Sequence, residues 1–332
     1  MKPITSETSN RIAGMTIVCT IIILCRHLPI AGVNFCMSMF GVDFSDVAVP
    51  AFFAVSGFLI GKKSDVENWY STALQKRLKS LVLPYFAVNT LLIPVEVIYH
   101  GVLKLGDWKG AMGFNWYTIS RIYGLTPEFH PASGPLWYVR CLVMFVVISP
   151  IIVVSVRKSA RFALAFFVAL LSAVSWLHTL PCVYEHADFF YSFFSLRGFV
   201  LFAGGIVYAH WCDREPSGLP RLALSLLLFG LGVVVIKYLP VAWLVGMVFL
   251  VGSMYLILPS FSWPRWLIAS CFPIYAFHQI VYMGYKVVFA SIGGVFGCWI
   301  VPMLLSFSVC CAISLLVRRY CPKVAIALFG GR

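Results

Sequence analysis

The sequence predicts an all-α fold, a polytopic membrane helix bundle of about ten transmembrane helices with both termini cytoplasmic. Three observations carry this expectation. First, 61% of the residues are hydrophobic and only 11% are charged, against roughly 25% charged in an average soluble domain. Polar side chains are too few to cover a globule of this size, so lipid must be the solvent. Second, apolar stretches recur along the whole chain, and residues 1–332 read as a single membrane-embedded domain. Third, with the amino terminus inside, 17 of the 25 lysines and arginines fall in inner segments. That bias supports inside termini and an even number of spans.

A span needs about 20 mostly apolar residues. In order, the spans fall near 12–30, 46–61, 81–103, 136–156, 162–180, 197–212, 221–237, 240–259, 264–283 and 295–317. The second and sixth are short enough to require tilt or extension into their loops. The first has no small-residue cleavage site and many spans follow it, so it reads as a retained helix rather than a signal peptide. The most charged inner loop is 62–80, KKSDVENWYSTALQKRLKS. It reads as a basic amphipathic segment along the membrane or as a plain topogenic loop.

Net charge is +13. In a membrane protein this charge sets topology, and nucleic acid is excluded as a partner. The 11 cysteines form no C-x-x-C pair, and no histidine pair has ligand spacing, so no metal site is expected. Cys36 and Cys182 fall in loops. Six of the seven histidines, all but His210, fall in the outer half. Either loop composition or a titratable site open to the outside accounts for them.

Ionisable groups at membrane depth are expensive and mark functional sites by default. Arg26, Arg197 and Glu96 lie close enough to helix ends to snorkel. Arg140 and His278 lie deeper. Residues three, four or seven apart share a helical face. Thr16, Thr20 and His27 therefore make one polar stripe, Trp137 shares a face with Arg140, and Tyr275 shares one with His278. Such stripes either glue helices together or line a polar path.

These residues resemble the acyltransferase-3 family of multi-pass membrane O-acyltransferases, in its short form without a hydrolase-like domain. The resemblance rests on TIVCTIIILCRH ending at His27, VPAFFAVSGFLIG at 49–61, KRLKSLVLPY at 76–85 and PLWYVRCLVMFVVISPII at 135–152, supported by FPIYAFHQIVY at 272–282. It implies about ten helices, a cell (inner) membrane location and transfer of an acetyl group from acetyl-CoA to a hydroxyl. The acceptor would be a cell-envelope glycan, either polysaccharide or lipid-linked sugar. His27 takes the place of the family's catalytic histidine. The family places a basic residue before that histidine with ten residues between them, and that position is Thr16 in this chain. The nearest upstream arginine, Arg11, would lie ~160° round the helix and ~24 Å along it. Lys76, Arg77 and Arg140 are the substitutes to test.

The resulting expectations are specific. His27 is the base or acyl relay, and Arg140, or backbone N–H groups near Gly57, supports the oxyanion. Lys76, Arg77, Lys79, Arg11 and Ser56 hold the coenzyme, whose acyl arm threads outward past Thr16 and Thr20. Trp137, Tyr275 and His278 contact the acceptor. A transporter or flippase for a lipid-linked sugar fits the polar stripes and broken spans equally well. A glycosyltransferase would need paired outer carboxylates, and the loop 104–135 offers only Asp107 and Glu128.

Overall fold

The computed structural model describes residues 4–27, 42–98, 116–125, 131–186, 189–211, 217–289 and 300–330. Among these residues the regular structure is entirely helical. Helix α1 spans Ser6–Arg26 and α2 spans Ala48–Lys63; α3 (Trp69–Arg77) and α4 (Leu83–Glu96) are joined by a π-helical turn, Leu78–Val82. Then come α5 (Trp116–Tyr123), α6 (Trp137–Arg157), α7 (Ala160–Leu177), α8 (Pro181–Glu185) and α9 (Leu196–Trp211). The chain continues through α10 (Gly218–Tyr238), α11 (Trp243–Ile257), α12 (Arg265–Phe289), α13 (Ile300–Tyr320) and α14 (Pro322–Phe329).

Among the described residues, six candidate spans are long and apolar enough to cross a membrane: α1, the run 69–95, 134–157, α10, 265–285 and α13. The shorter helices α2, α7, α9 and α11, of 15 to 18 residues, coincide with the other four predicted segments. The predicted inner loop 62–80 is largely helical. Its second half, from Trp69, runs without a break into the third span. WYSTALQKR contains no helix breaker and several good helix formers, which favours helix over loop.

The π turn has a local cause. Pro84 has no N–H to offer the carbonyl of Ser80. The ladder slips by one residue, and the N–H of Leu83 donates to the carbonyl of Leu78. Such turns re-aim the side chains around them and recur at functional sites.

The tightest packing is α2 against α9. A Cβ on Gly57 would lie 1.9 Å from the Phe202 carbonyl oxygen, and one on Gly205 would lie 2.0 Å from that of Ala54. Glycine at both positions lets the two backbones touch. Phe53 and Phe202 flank this seam and meet the fully buried Phe145 of α6 at 5.1 and 5.6 Å between ring centroids. Helix α1 packs against both α2 and α12, while α10 packs mainly on α11. The rest of α10 exposes Leu222, Leu226, Leu227 and Val234, as a lipid-facing helix should.

Candidate active site

A cavity of about 430 Å³ lies between α1, α2, α6 and α12, with Arg77 and Leu81 contributed by the stretch around the π turn. From α1 it takes Thr16 and Thr20. Their hydroxyls donate to the carbonyls of Ile12 and Thr16, at 2.9 and 2.8 Å. That leaves oxygen lone pairs available on an otherwise apolar helix face. From α2 it takes Phe52 and Ser56, and Ser56 Oγ lies 3.2 Å from the hydroxyl of Tyr138 on α6. Phe52, Tyr138 and Tyr275 form an aromatic triangle with ring centroids 5.8, 6.2 and 6.0 Å apart. Tyr275 is held by donating its hydroxyl to the Pro135 carbonyl. Arg77 and Arg265 line the same cavity, and among the described residues no carboxylate does. Two cations without a counter-charge in the lining make it suited to an anion.

His27 caps the carboxyl end of α1 and is exposed. It lies seven residues past Thr20, or ~10 Å further along the helix. It is not part of the cavity lining. Its imidazole faces α12, where the amide nitrogen of Gln279 donates to Nδ1 at 3.2 Å and the ring of His278 lies 5.1 Å away between centroids. His278 is fully buried. Its Nδ1 lies 3.0 and 2.9 Å from the carbonyls of Ile274 and Tyr275. Those acceptors place the His278 proton on Nδ1 and a lone pair on Nε2. Tyr282, one turn further, donates its hydroxyl to the Leu24 carbonyl at 2.9 Å and so ties α12 to the end of α1. On the other side Arg26 pairs with Asp43 at 2.5 Å and with Asp46 at 3.7 Å.

Five segments far apart in sequence thus meet in space: TIVCTIIILCRH, AFFAVSGF, KRLKSLVLPY, PLWYVR and FPIYAFHQ. Of the predicted residues, Thr16, Thr20, Ser56, Arg77 and Tyr275 share the cavity, and His27 and His278 are neighbours beyond it. Arg11 is buried and donates to Glu7, and it does not line the cavity. Lys76 and Lys79 are exposed and also lie outside the lining. Arg140 is buried on α6, where it donates to the Gly124 carbonyl and stacks 4.7 Å over Phe193. Trp137 packs beside Phe53 at 6.4 Å, and its neighbour Tyr138 faces the cavity instead. Gly57 sits inside continuous α2. Its N–H belongs to the helix ladder, so the expected oxyanion role for backbone near Gly57 gives way to a packing role. Arg197 stacks 4.3 Å over Trp243. Cys36, His100, Asp107, Glu128 and His130 lie outside the described residues, as does the Glu96 side chain.

Sequence reasoning did not single out Arg265, Tyr138 or Gln279. Arg265 opens α12, where its charge by sequence is one inner topogenic charge among others. Gln279 follows His278 directly and is a polar residue well inside an apolar helix, which was the available signal.

A family model, Acyl_transf_3, described as an acyltransferase domain, matches residues 10–318. No curated protein and no solved structure matches the chain.

Proposed function

Because the chain belongs to the Acyl_transf_3 family of acyltransferases, we infer that it is a membrane O-acetyltransferase. It takes acetyl-CoA from the cytoplasm and acetylates a hydroxyl of a cell-envelope glycan, either polysaccharide or lipid-linked sugar. We place it in the cell's inner membrane with both termini cytoplasmic. The observation that carries this reading is the anion-suited cavity on α1 that stops two turns short of His27.

Arg77 and Arg265 suit the phosphates of the coenzyme, as fixed cations with several donors each. Thr16, Thr20 and the Ser56–Tyr138 hydroxyl pair offer hydrogen bonds to the amides of its pantetheine arm. The aromatic triangle excludes water around the thioester. Unprotonated His27 then takes the proton of the acceptor hydroxyl, whose oxygen attacks the thioester carbonyl. As the carbon–sulfur bond breaks, the departing thiolate recovers that proton from the imidazolium. A covalent acyl-His27 relay is the variant of this route.

Alanine at Arg77 or at Arg265 should raise KM for acetyl-CoA by about tenfold or more, as expected for a lost charge-assisted hydrogen bond, with a smaller effect on kcat. Initial rates at varied acetyl-CoA check this. The overall reading is tested by incubating the purified protein in lipid nanodiscs with acetyl-labelled acetyl-CoA and a membrane glycan fraction. Alkali-labile label on the glycan is the expected product. Glycan carried across vesicle membranes without any covalent product would favour the transporter reading instead.

A further inference from the structure

We propose that Gln279 is a positioning residue that selects which nitrogen of His27 accepts the proton. The inference rests on the reading of His27 as the base in acyl transfer. It begins from geometry: the Gln279 amide nitrogen is 3.2 Å from His27 Nδ1, across two helices whose residues are 252 positions apart. A base needs a third group to fix its orientation, and a carboxylate usually fills that role. Here the neighbour is a neutral amide.

An amide has a property no carboxylate has, because its two ends serve opposite states of an imidazole. With the N–H end toward Nδ1, neutral His27 carries its proton on Nε2. With the amide turned over, Oε1 accepts from Nδ1–H, and the Nε2 lone pair is free to take the acceptor's proton. The imidazolium formed in that step keeps Nδ1–H on Oε1 until the coenzyme thiolate removes the proton from Nε2. The same side chain therefore holds the ring before and after proton transfer.

The amide has room to do this because its neighbour is a glycine. A Cβ on Gly134 would sit 2.8 Å from Gln279 Oε1. Gly134 lies in the short 3-10 turn that precedes α6. Among the described residues, the other charged or titratable groups around His27 are Arg26 beside it, Asp43 and Asp46 paired with Arg26, and His278 and Tyr282 on α12. Among the described residues none of these groups bonds to Nδ1, so Gln279 is the group whose exchange acts on that atom.

The test compares Gln279→Leu, Gln279→Glu and Gly134→Ala in nanodiscs, using label transfer from acetyl-CoA to membrane glycan. Gln279→Leu should lower kcat at least ~10-fold, a part of the 10²–10⁴ range of general base catalysis, and leave KM for acetyl-CoA nearly unchanged. Gln279→Glu keeps only the acceptor function. It should retain turnover while moving the acid limb of the pH–rate profile up by about one unit or more, as a carboxylate beside an imidazole does. Gly134→Ala displaces the amide and should fall between wild type and Gln279→Leu.

A second readout does not depend on turnover. Diethyl pyrocarbonate acylates unprotonated imidazole, and mass spectrometry of the His27 peptide follows its modification against pH. That curve should move up in pH in Gln279→Glu. If His27→Ala is inactive while Gln279→Leu turns over at the wild-type rate, or if both pH curves of Gln279→Glu coincide with wild type, this inference is overturned and the base assignment stands. If His27→Ala is fully active, the base assignment itself is lost.

Discussion

His27→Ala is expected to lower acyl transfer by about 10²–10⁴-fold, the usual contribution of a positioned general base, while leaving KM for acetyl-CoA close to wild type. The split follows from where the groups lie. The coenzyme-suited side chains line a cavity lower on α1, and His27 does not line it. Under the proposed mechanism the imidazole acts in proton transfer and not in holding the coenzyme, so kcat and kcat/KM should fall together. His27 is exposed and caps the helix, so alanine leaves α1 and its packing on α12 in place. The measurement is label transfer to glycan at saturating and at low acetyl-CoA. Denaturing the wild type at neutral pH during turnover adds a second result: label on the His27 peptide identifies the acyl-His27 relay. Full activity in the alanine variant would remove His27 from the mechanism.

Gly57→Leu should prevent the bundle from assembling, with no folded, monodisperse protein recovered after extraction. The added Cβ alone would overlap the Phe202 carbonyl at 1.9 Å, and the nearest atoms are backbone rather than the end of a flexible side chain. Ordinary overpacking of a core costs about 1–3 kcal/mol because side chains can shift. Here two helix axes must separate, and every contact along the α2–α9 seam is lost with them. Gly57→Ala is the milder form, expected to lower the midpoint of thermal unfolding. Gly230→Ala on α10 is the control, since nothing lies within 4 Å of its added Cβ. Equal recovery of the Gly57 and Gly230 variants would refute the packing argument.

Much of the scaffold was legible because lipid imposes a simple rule on sequence. A span must be apolar and must satisfy its own backbone, so α1, α6, α12 and α13 announce themselves through hydropathy. The Thr16–Thr20 stripe was legible for the same reason, as hydroxyls stand out on an apolar face. The start of the third span was misplaced because Lys76, Arg77 and Lys79 look like loop residues. Charge near a membrane surface reports topology and says little about helix. Arg140 shows the opposite problem. Its depth and charge announce a function, yet its guanidinium holds the Gly124 carbonyl and the face of Phe193. That partnership is made by chain from elsewhere, and no local pattern encodes it. Gln279 was missed on the same ground, since its partner is 252 positions away. The glycine of AFFAVSGF was noticed as a motif, but only the crossing with α9 explains why a side chain there is forbidden.

The α2–α9 seam also divides the molecule mechanically. Two helices whose backbones touch cannot slide or tilt past one another without breaking contact, so they behave as a single stator. The opposite wall of the cavity is built differently. Arg77 borders a π turn, and Phe272 and Tyr275 flank Pro273 inside α12. Both places interrupt the hydrogen-bond ladder, and such interruptions are where helices bend. Under the proposed function, admitting and releasing a coenzyme would flex the wall that carries Tyr275 against the packed frame that carries Ser56.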